Sequence, residues 1–366
     1  MKSFRYLFTS ATLLVFLFAA TIFTNGSAIH PEAWHPPIKP AFEGELSLNE
    51  KLAGVSKIDL GKWNGPEEFA FDASGYMYCG VHKGEKNFSQ GAILKISPEG
   101  KIEEFLNTDS WVTGMQFDNH GNLIAMMNGI GLVSINQDKN IEVLVKKDED
   151  ERPILMGSGL TIAKDGKIYF ANLSSKTTTS TKYINQLFLE LKPTGGVYCY
   201  DPQTKKTQTI SNGNYFANGL ELSKDETYLL LSETSKYRIL KYWLKGEKAG
   251  TFEVFLDNLA GFPNNISRRN NGNFWVGFTT KRNDKLDGLH PKKGMKKFVY
   301  GLPAIVQPRA EKFGMILEIS EEGHVIQALF DTSGESVMEA GAVKEFSNNL
   351  YIGGDNVSYV AKYVIN

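Results

Sequence analysis

Oxygen-bearing side chains stand at comparable places along this 366-residue chain, each just ahead of a short apolar run. Glu67 precedes Phe69-Ala70-Phe71, Thr113 precedes Met115-Gln116-Phe117, and Ser158 precedes Leu160-Thr161-Ile162. Asn218 precedes Leu220-Glu221-Leu222, Asn264 and Asn265 precede Ile266, and Glu339 stands just upstream of Gly341-Ala342. If these places are the inner ends of radial repeats, they converge on one axis. Oxygens gathered in that way suit a hard cation such as Ca2+, which takes about 6–8 oxygen ligands. A metal so held polarises a carbonyl oxygen and stabilises the charge that develops on it. Asn-Gly is also a common turn signal, and Asn264-Asn265 also reads as the cap of a strand. Glu68 should alternate away from Glu67 along an extended strand. His82 ends a strand, where a lone histidine is more often a core or surface residue than a catalyst.

The elements that would position these residues follow from a repeat. A polar turn flanked by apolar strands recurs at Phe71, Phe117, Ile162, Leu222, Ile266 and Glu345, with spacings of 46, 45, 60, 44 and 79 residues. Periods of roughly 40–50 residues mark blade repeats, and the turns carry hairpin chemistry. Third strands follow each turn, among them Gly91–Ser97, Gly195–Asp201 and Gly314–Ser320. The two long intervals locate insertions at Ser174–Pro193 and Lys281–Glu311. The last unit lacks an outer strand, which Val55–Leu60 can supply from the start of the chain. The expected fold is therefore all-β: a six-bladed β-propeller with four-stranded blades over 51–366, closed by an N-terminal strand. Such closure removes open sheet edges.

The formal net charge of −1 gives no argument for nucleic acid. The two cysteines, Cys79 and Cys199, fall in different blades and read as buried free thiols. Lys2 and Arg5 precede an uncharged apolar stretch, Tyr6–Phe23. Residues 1–28 thus read either as a secretory signal or as an uncleaved membrane anchor. Either way the propeller is expected across the membrane, periplasmic, extracellular or lumenal. Residues 29–50 read as a Pro-rich spacer. Sequons stand at Asn25, Asn87, Asn172, Asn265 and Asn356. The basic run Lys292–Lys297 reads as a solvated loop or helix face or, more sharply, as a surface that meets an anionic membrane, and Val299–Val306 as a helix or loop packed on the blades or a rim that dips into lipid or admits apolar substrates.

The segments GPEEFAFD, YFANLSS, GGVYCYDPQTKKT, FANGLELSKDETYLLLSETSKYRILKYWLKG and GFPNNI…GNFWVGF resemble the strictosidine synthase-like family. The likeness is to its adipocyte plasma membrane-associated protein and hemomucin branch, within the SMP-30/gluconolactonase and paraoxonase superfamily. It runs from about Pro31 to the C-terminus and implies a six-bladed propeller. In the calcium-dependent lactonase and esterase branches, a blade-one Glu, Asn residues and an Asp hold the axial metal. Glu67, Asn218 and Asn265 match the Glu and two Asn positions, and Asn264 stands in place of the Asp. The resemblance thus implies a calcium site at Glu67, Asn218, Asn264 and Asn265, lined by Thr113, Ser158 and Glu339. Ser158-Gly159 replaces an Asn-Asp pair, which lowers the ligand charge and with it calcium affinity. The plant synthases use a Glu near the head of blade six, where this chain has Gly341-Ala342. The implied activity is hydrolysis of small ester or lactone substrates, arylesterase- or lactonase-like, by an exported or membrane-anchored protein; the catalytic base is unidentified. The alternatives are a non-catalytic ligand- or partner-binding propeller and, opposed by Gly341-Ala342, a condensing lyase.

Overall fold

The computed structural model describes residues 16, 18–83, 88, 90–176, 181–307 and 309–365. The strands form six sheets of four antiparallel strands each, the blades of a propeller. Blade one is Phe69–Phe71, Met77–Val81, Ala92–Ile96 and Ile102–Asn107. Blades two to five repeat this order and begin with Val112–Phe117, Met156–Ile162, Ala217–Leu222 and Gly261–Arg268. Blade six contains Ala342–Phe346, Asn349–Gly353 and Tyr359–Val364, and its fourth strand is Ser56–Asp59. Pairing runs from Ser56 opposite Lys362 to Asp59 opposite Tyr359. The first and last parts of the propeller are thus stitched into one sheet.

The sequence turns appear as first-to-second strand hairpins. Asp72 Oδ1 accepts from the amides of Ser74 and Tyr76 at 2.9 and 3.0 Å. Asp118 Oδ1 does the same for His120 and Asn122 at 2.9 and 2.8 Å. A short carboxylate satisfying the amides of its own turn is why Asp recurs there.

The core lies between blades. Phe69, Cys79 and Leu94 pack on Ala342 and Val360 of blade six. From the other face of blade one, Ala70, Tyr78 and Ile93 pack on Val112, Met115 and Ala125 of blade two. Second strands such as Met77–Val81 and Leu123–Met127 are buried throughout, whereas the outer Ile141–Val145 is largely exposed. Each fully buried Leu, Val or Phe contributes about 1.5–3 kcal/mol, so the blade-to-blade seams carry the stability. Cys79 and Cys199 are buried free thiols, and burial pushes them up to about 12 and 11.

The chain divides into two compact units. The propeller unit comprises Ile38–Thr181, Pro193–Arg282 and Glu311–Asn366. The other comprises Met1–Pro37, Lys182–Lys192 and Asn283–Ala310 and is helical. Both insertions therefore contribute helices: Thr181–Glu190 from the first, Asp284–Leu289 and Lys293–Gly301 from the second. A helix over 18–27 packs closely on the last of these, since a Cβ at Gly301 would lie 2.2 Å from the Ile22 carbonyl oxygen. The basic run is not wholly a solvated face. Lys296 is fully buried and its Nζ donates to the Glu32 carbonyl at 2.7 Å. Among the described residues no helix is long and apolar enough to cross a membrane. Most of the expected leader, 1–15 and 17, lies outside the described residues, as does the Asn87 sequon.

Candidate functional site

In four blades the innermost strand leaves its ladder at the place the repeat singled out. Pairing to the second strand breaks between Val112 and Met115, between Gly157 and Leu160, between Ala217 and Leu220, and between Pro263 and Ile266. The unpaired residues are Thr113-Gly114, Ser158-Gly159, Asn218-Gly219 and Asn264-Asn265. The glycines are there because the next blade is too close for a side chain. A Cβ on Gly114 would meet the Ser158 carbonyl oxygen at 2.0 Å, and one on Gly219 the Asn264 oxygen at 2.3 Å. The polar partner in each pair is thereby presented to the neighbouring blade heads.

These side chains link blade to blade. Thr113 Oγ1 donates to the Gly157 carbonyl at 2.8 Å, and Ser158 Oγ to Asn218 Oδ1 at 2.5 Å. Asn218 Nδ2 donates to Thr234 Oγ1 at 3.2 Å, and Thr234 Oγ1 to the Pro263 carbonyl at 2.6 Å. Asn264 Nδ2 donates to Thr279 Oγ1 at 3.1 Å, and Asn265 Nδ2 donates to the Glu67 carbonyl oxygen. All of these residues except the half-buried Thr279 are almost completely buried.

What the ring leaves over is acceptors. Glu67 Oε2, Asn264 Oδ1, Asn265 Oδ1 and Asp355 Oδ1 are buried oxygens without a hydrogen-bond partner. Asn218 differs, because its carbonyl oxygen accepts one hydrogen bond, from Ser158. Among the described residues, no three of the His, Cys, Asp and Glu side chains by themselves form a metal-holding group. A cation here would depend on amide oxygens as well as carboxylates. On that donor chemistry the residues fit a hard, oxygen-seeking cation.

The electrostatics agree that the site is short of positive charge. Burial, followed by the charge of Asp355 and its hydrogen-bonding proximity, holds Glu67 well above the ordinary carboxylate range. Burial and then the charge of Asp355 push Glu339 up to about 8, against hydrogen bonds from the Asp355 and Asn356 backbones. Burial pushes Glu68 up to about 7, with Lys344 opposing. Glu68 is itself buried and accepts from the Phe69 amide at 3.1 Å. Glu339, expected as lining, accepts from the amides of Asp355 and Asn356 at 3.1 and 3.3 Å.

Behind the first-strand heads stands a second tier of residues that the repeat pattern does not single out. In an antiparallel blade the end of the second strand returns to the face where the first strand begins. Thr234 and Asp355 follow second strands in this way, as does His82, and Thr279 lies near the end of one. His82 is buried against Phe88 and Trp111, and its Nε2 lies 2.9 Å from the Asp355 carbonyl oxygen. It is a packed core histidine. The Asp following Leu350-Tyr351-Ile352-Gly353-Gly354 was the available signal.

Comparison with known proteins places the chain. Family models for strictosidine synthase and for the strictosidine synthase-like N-terminal region match residues 158–247 and 44–85. Strictosidine synthase-like 3 of Arabidopsis thaliana is 31% identical over 334 residues, covering 83% of each chain. The chain belongs to the strictosidine synthase-like family. This strictosidine synthase-like chain is also 27% identical to the adipocyte plasma membrane-associated protein of Bos taurus, over 98% of this chain and 89% of that one. A gluconolactonase of Xanthomonas campestris shares the fold with a TM-score of 0.60 at 15% identity, over 92% and 97% of the two chains. A luciferin-regenerating enzyme does so with a TM-score of 0.56 at 14% identity, over 86% and 96%.

Proposed function

We propose that this protein is a hydrolase of small esters or lactones that works at the axial site with a bound divalent cation, calcium being the best match. The observation that carries the reading is the set of buried, unpartnered oxygens on Glu67, Asn264 and Asn265. A buried acceptor without a partner costs about 1–3 kcal/mol, and several at one locus favour a cation that satisfies them together. Glu67, Asn264 and Asn265 would hold it, and Asn218 would brace the ring through Ser158 and Thr234. When bound, the metal supplies polarisation of the substrate carbonyl. The kinship to gluconolactonase-type propellers supports the reading at the level of fold.

The chain's own residues do the rest. The hydrogen bonds from Asn264 to Thr279 and from Asn265 to the Glu67 backbone fix both amides, so their carbonyl oxygens stay in place as charge develops. Glu68 and Glu339, held near neutrality, are groups able to take or give a proton near pH 7. A panel of lactones and aryl esters tests the activity. Turnover by the wild type that falls by about a hundredfold or more in Glu67→Gln supports the reading; no turnover on any member favours a ligand-binding propeller.

We further propose that the helical unit meets an anionic membrane surface. Phe18, Phe23, Phe298, Ile305 and Val306 of this unit are exposed, and Lys293 and Lys297 line a cleft of about 520 Å3 in the same unit. Apolar side chains beside lysines suit an interface of acyl chains and anionic headgroups. Full-length protein should cosediment with phosphatidylserine vesicles, and Phe23→Ser with Phe298→Ser should weaken this by about tenfold or more. Equal binding by the double variant would remove the membrane reading.

A further inference from the structure

The loop after the second strand of blade six brings a carboxylate to the axial site that no first-strand head supplies. Asp355 lies within hydrogen-bonding reach of the Glu67 carboxyl group. Its loop is fixed from three directions. Glu339, itself buried, accepts from the amides of Asp355 and Asn356 and presses against Gly354, where a Cβ would meet its Cγ at 2.7 Å. His82 lies against the Asp355 carbonyl oxygen at 2.9 Å. Gly65 hydrogen-bonds through its amide to the Val357 carbonyl at 3.0 Å. Blade five is adjacent: a Cβ at Gly341 would lie 2.6 Å from Asn264 Nδ2 and 3.7 Å from Glu339 Oε1.

Glu67 Oε2, Asp355 Oδ1, Asn264 Oδ1 and Asn265 Oδ1 are buried oxygens without hydrogen-bond partners. All four are acceptors, which a cation would satisfy together. We infer that Asp355 is a ligand of the axial cation, supplying from blade six the negative charge that Asn264 does not supply from blade five. Glu339 and His82 are positioning residues that hold the 354–356 loop for this purpose. The inference rests on the metal-dependent reading of the axial site proposed above.

The test is calcium affinity of full-length protein, measured by titration calorimetry after chelation and by the calcium-dependent rise in melting temperature. Wild type should bind calcium, and Asp355→Asn should bind at least about tenfold more weakly, since affinity follows ligand charge. Asp355→Asn combined with Asn264→Asp should recover most of the loss, because the charge is returned from blade five. Wild-type binding with unchanged affinity in Asp355→Asn overturns the inference and leaves the metal site standing. Loss without recovery in the double variant also overturns it, by showing damage to the loop rather than loss of a ligand. A wild type that binds no calcium overturns the inference together with the metal-dependent reading on which it rests.

Discussion

Residues at the site divide into those that hold one another and those left with oxygens to spare. Ser158 shows why sequence position alone does not separate them. Its hydroxyl donates to Asn218 Oδ1 at 2.5 Å, so this oxygen already has one partner where those of Asn264 and Asn265 have none. A separate buried cluster shows how this protein treats carboxylates it does not leave unsatisfied. Arg269 bonds Glu318 at 2.6 Å and Glu345 at 2.7 Å, and Trp275 Nε1 donates to Glu345 at 2.7 Å. Burial alone would raise Glu318, yet hydrogen bonds from Asn273, Gln327 and Arg269 bring it below its ordinary value of 4.5. A depressed carboxylate stabilises the fold above its unfolded value and loses that contribution as pH falls through its folded value. Denaturant midpoints should therefore decline on acidification below about pH 4.5, and less steeply in Glu318→Gln. Arg269→Ala, which removes the charge partner of the buried Glu318 and the half-buried Glu345, should cost about 1–3 kcal/mol at neutral pH.

At the scale of elements, the two-residue break in the first strand is the device that builds the site. In blades two to four it frees one polar side chain and lets the next blade approach over a glycine, and in blade five it frees Asn264 and Asn265. Gly114→Ala should bring Cβ against the Ser158 carbonyl oxygen and destabilise the protein by about 1–3 kcal/mol. Thermal denaturation measures the loss, and an unchanged melting temperature would show that the blades can part there without cost. The heads of these strands were legible because an amide or hydroxyl ahead of a repeating apolar run is a sequence pattern. Asp355 was not, because its place depends on strand direction: it follows a second strand, and only the antiparallel return carries it to the axial face. Lys296 was misread for a related reason. A cation in a basic run reads as solvated until its partner, the Glu32 carbonyl, arrives from a distant segment.

At the scale of the molecule, nearly all the propeller could be read from the turn period, because blade cores are local hairpins repeated at a regular spacing. The closing strand was legible too, since a last unit with three strands needs a fourth. The helical unit was not. Its parts are separated by 144 and 90 residues of propeller, and the two insertions read only as interruptions of the repeat. Closure makes a further prediction. Removing residues 1–60 deletes Ser56–Asp59 and exposes the edge strand Tyr359–Val364. Such an edge templates association, so the truncated protein should aggregate at concentrations where the full chain does not, as light scattering would report. The proposal that the axial oxygens act through a bound cation is tested most directly by the rate of lactone or aryl ester hydrolysis by full-length protein before chelation, after it, and after calcium is returned. Activity should disappear with chelator and return with calcium. Hydrolysis that continues undiminished in the metal-stripped protein would contradict the proposal.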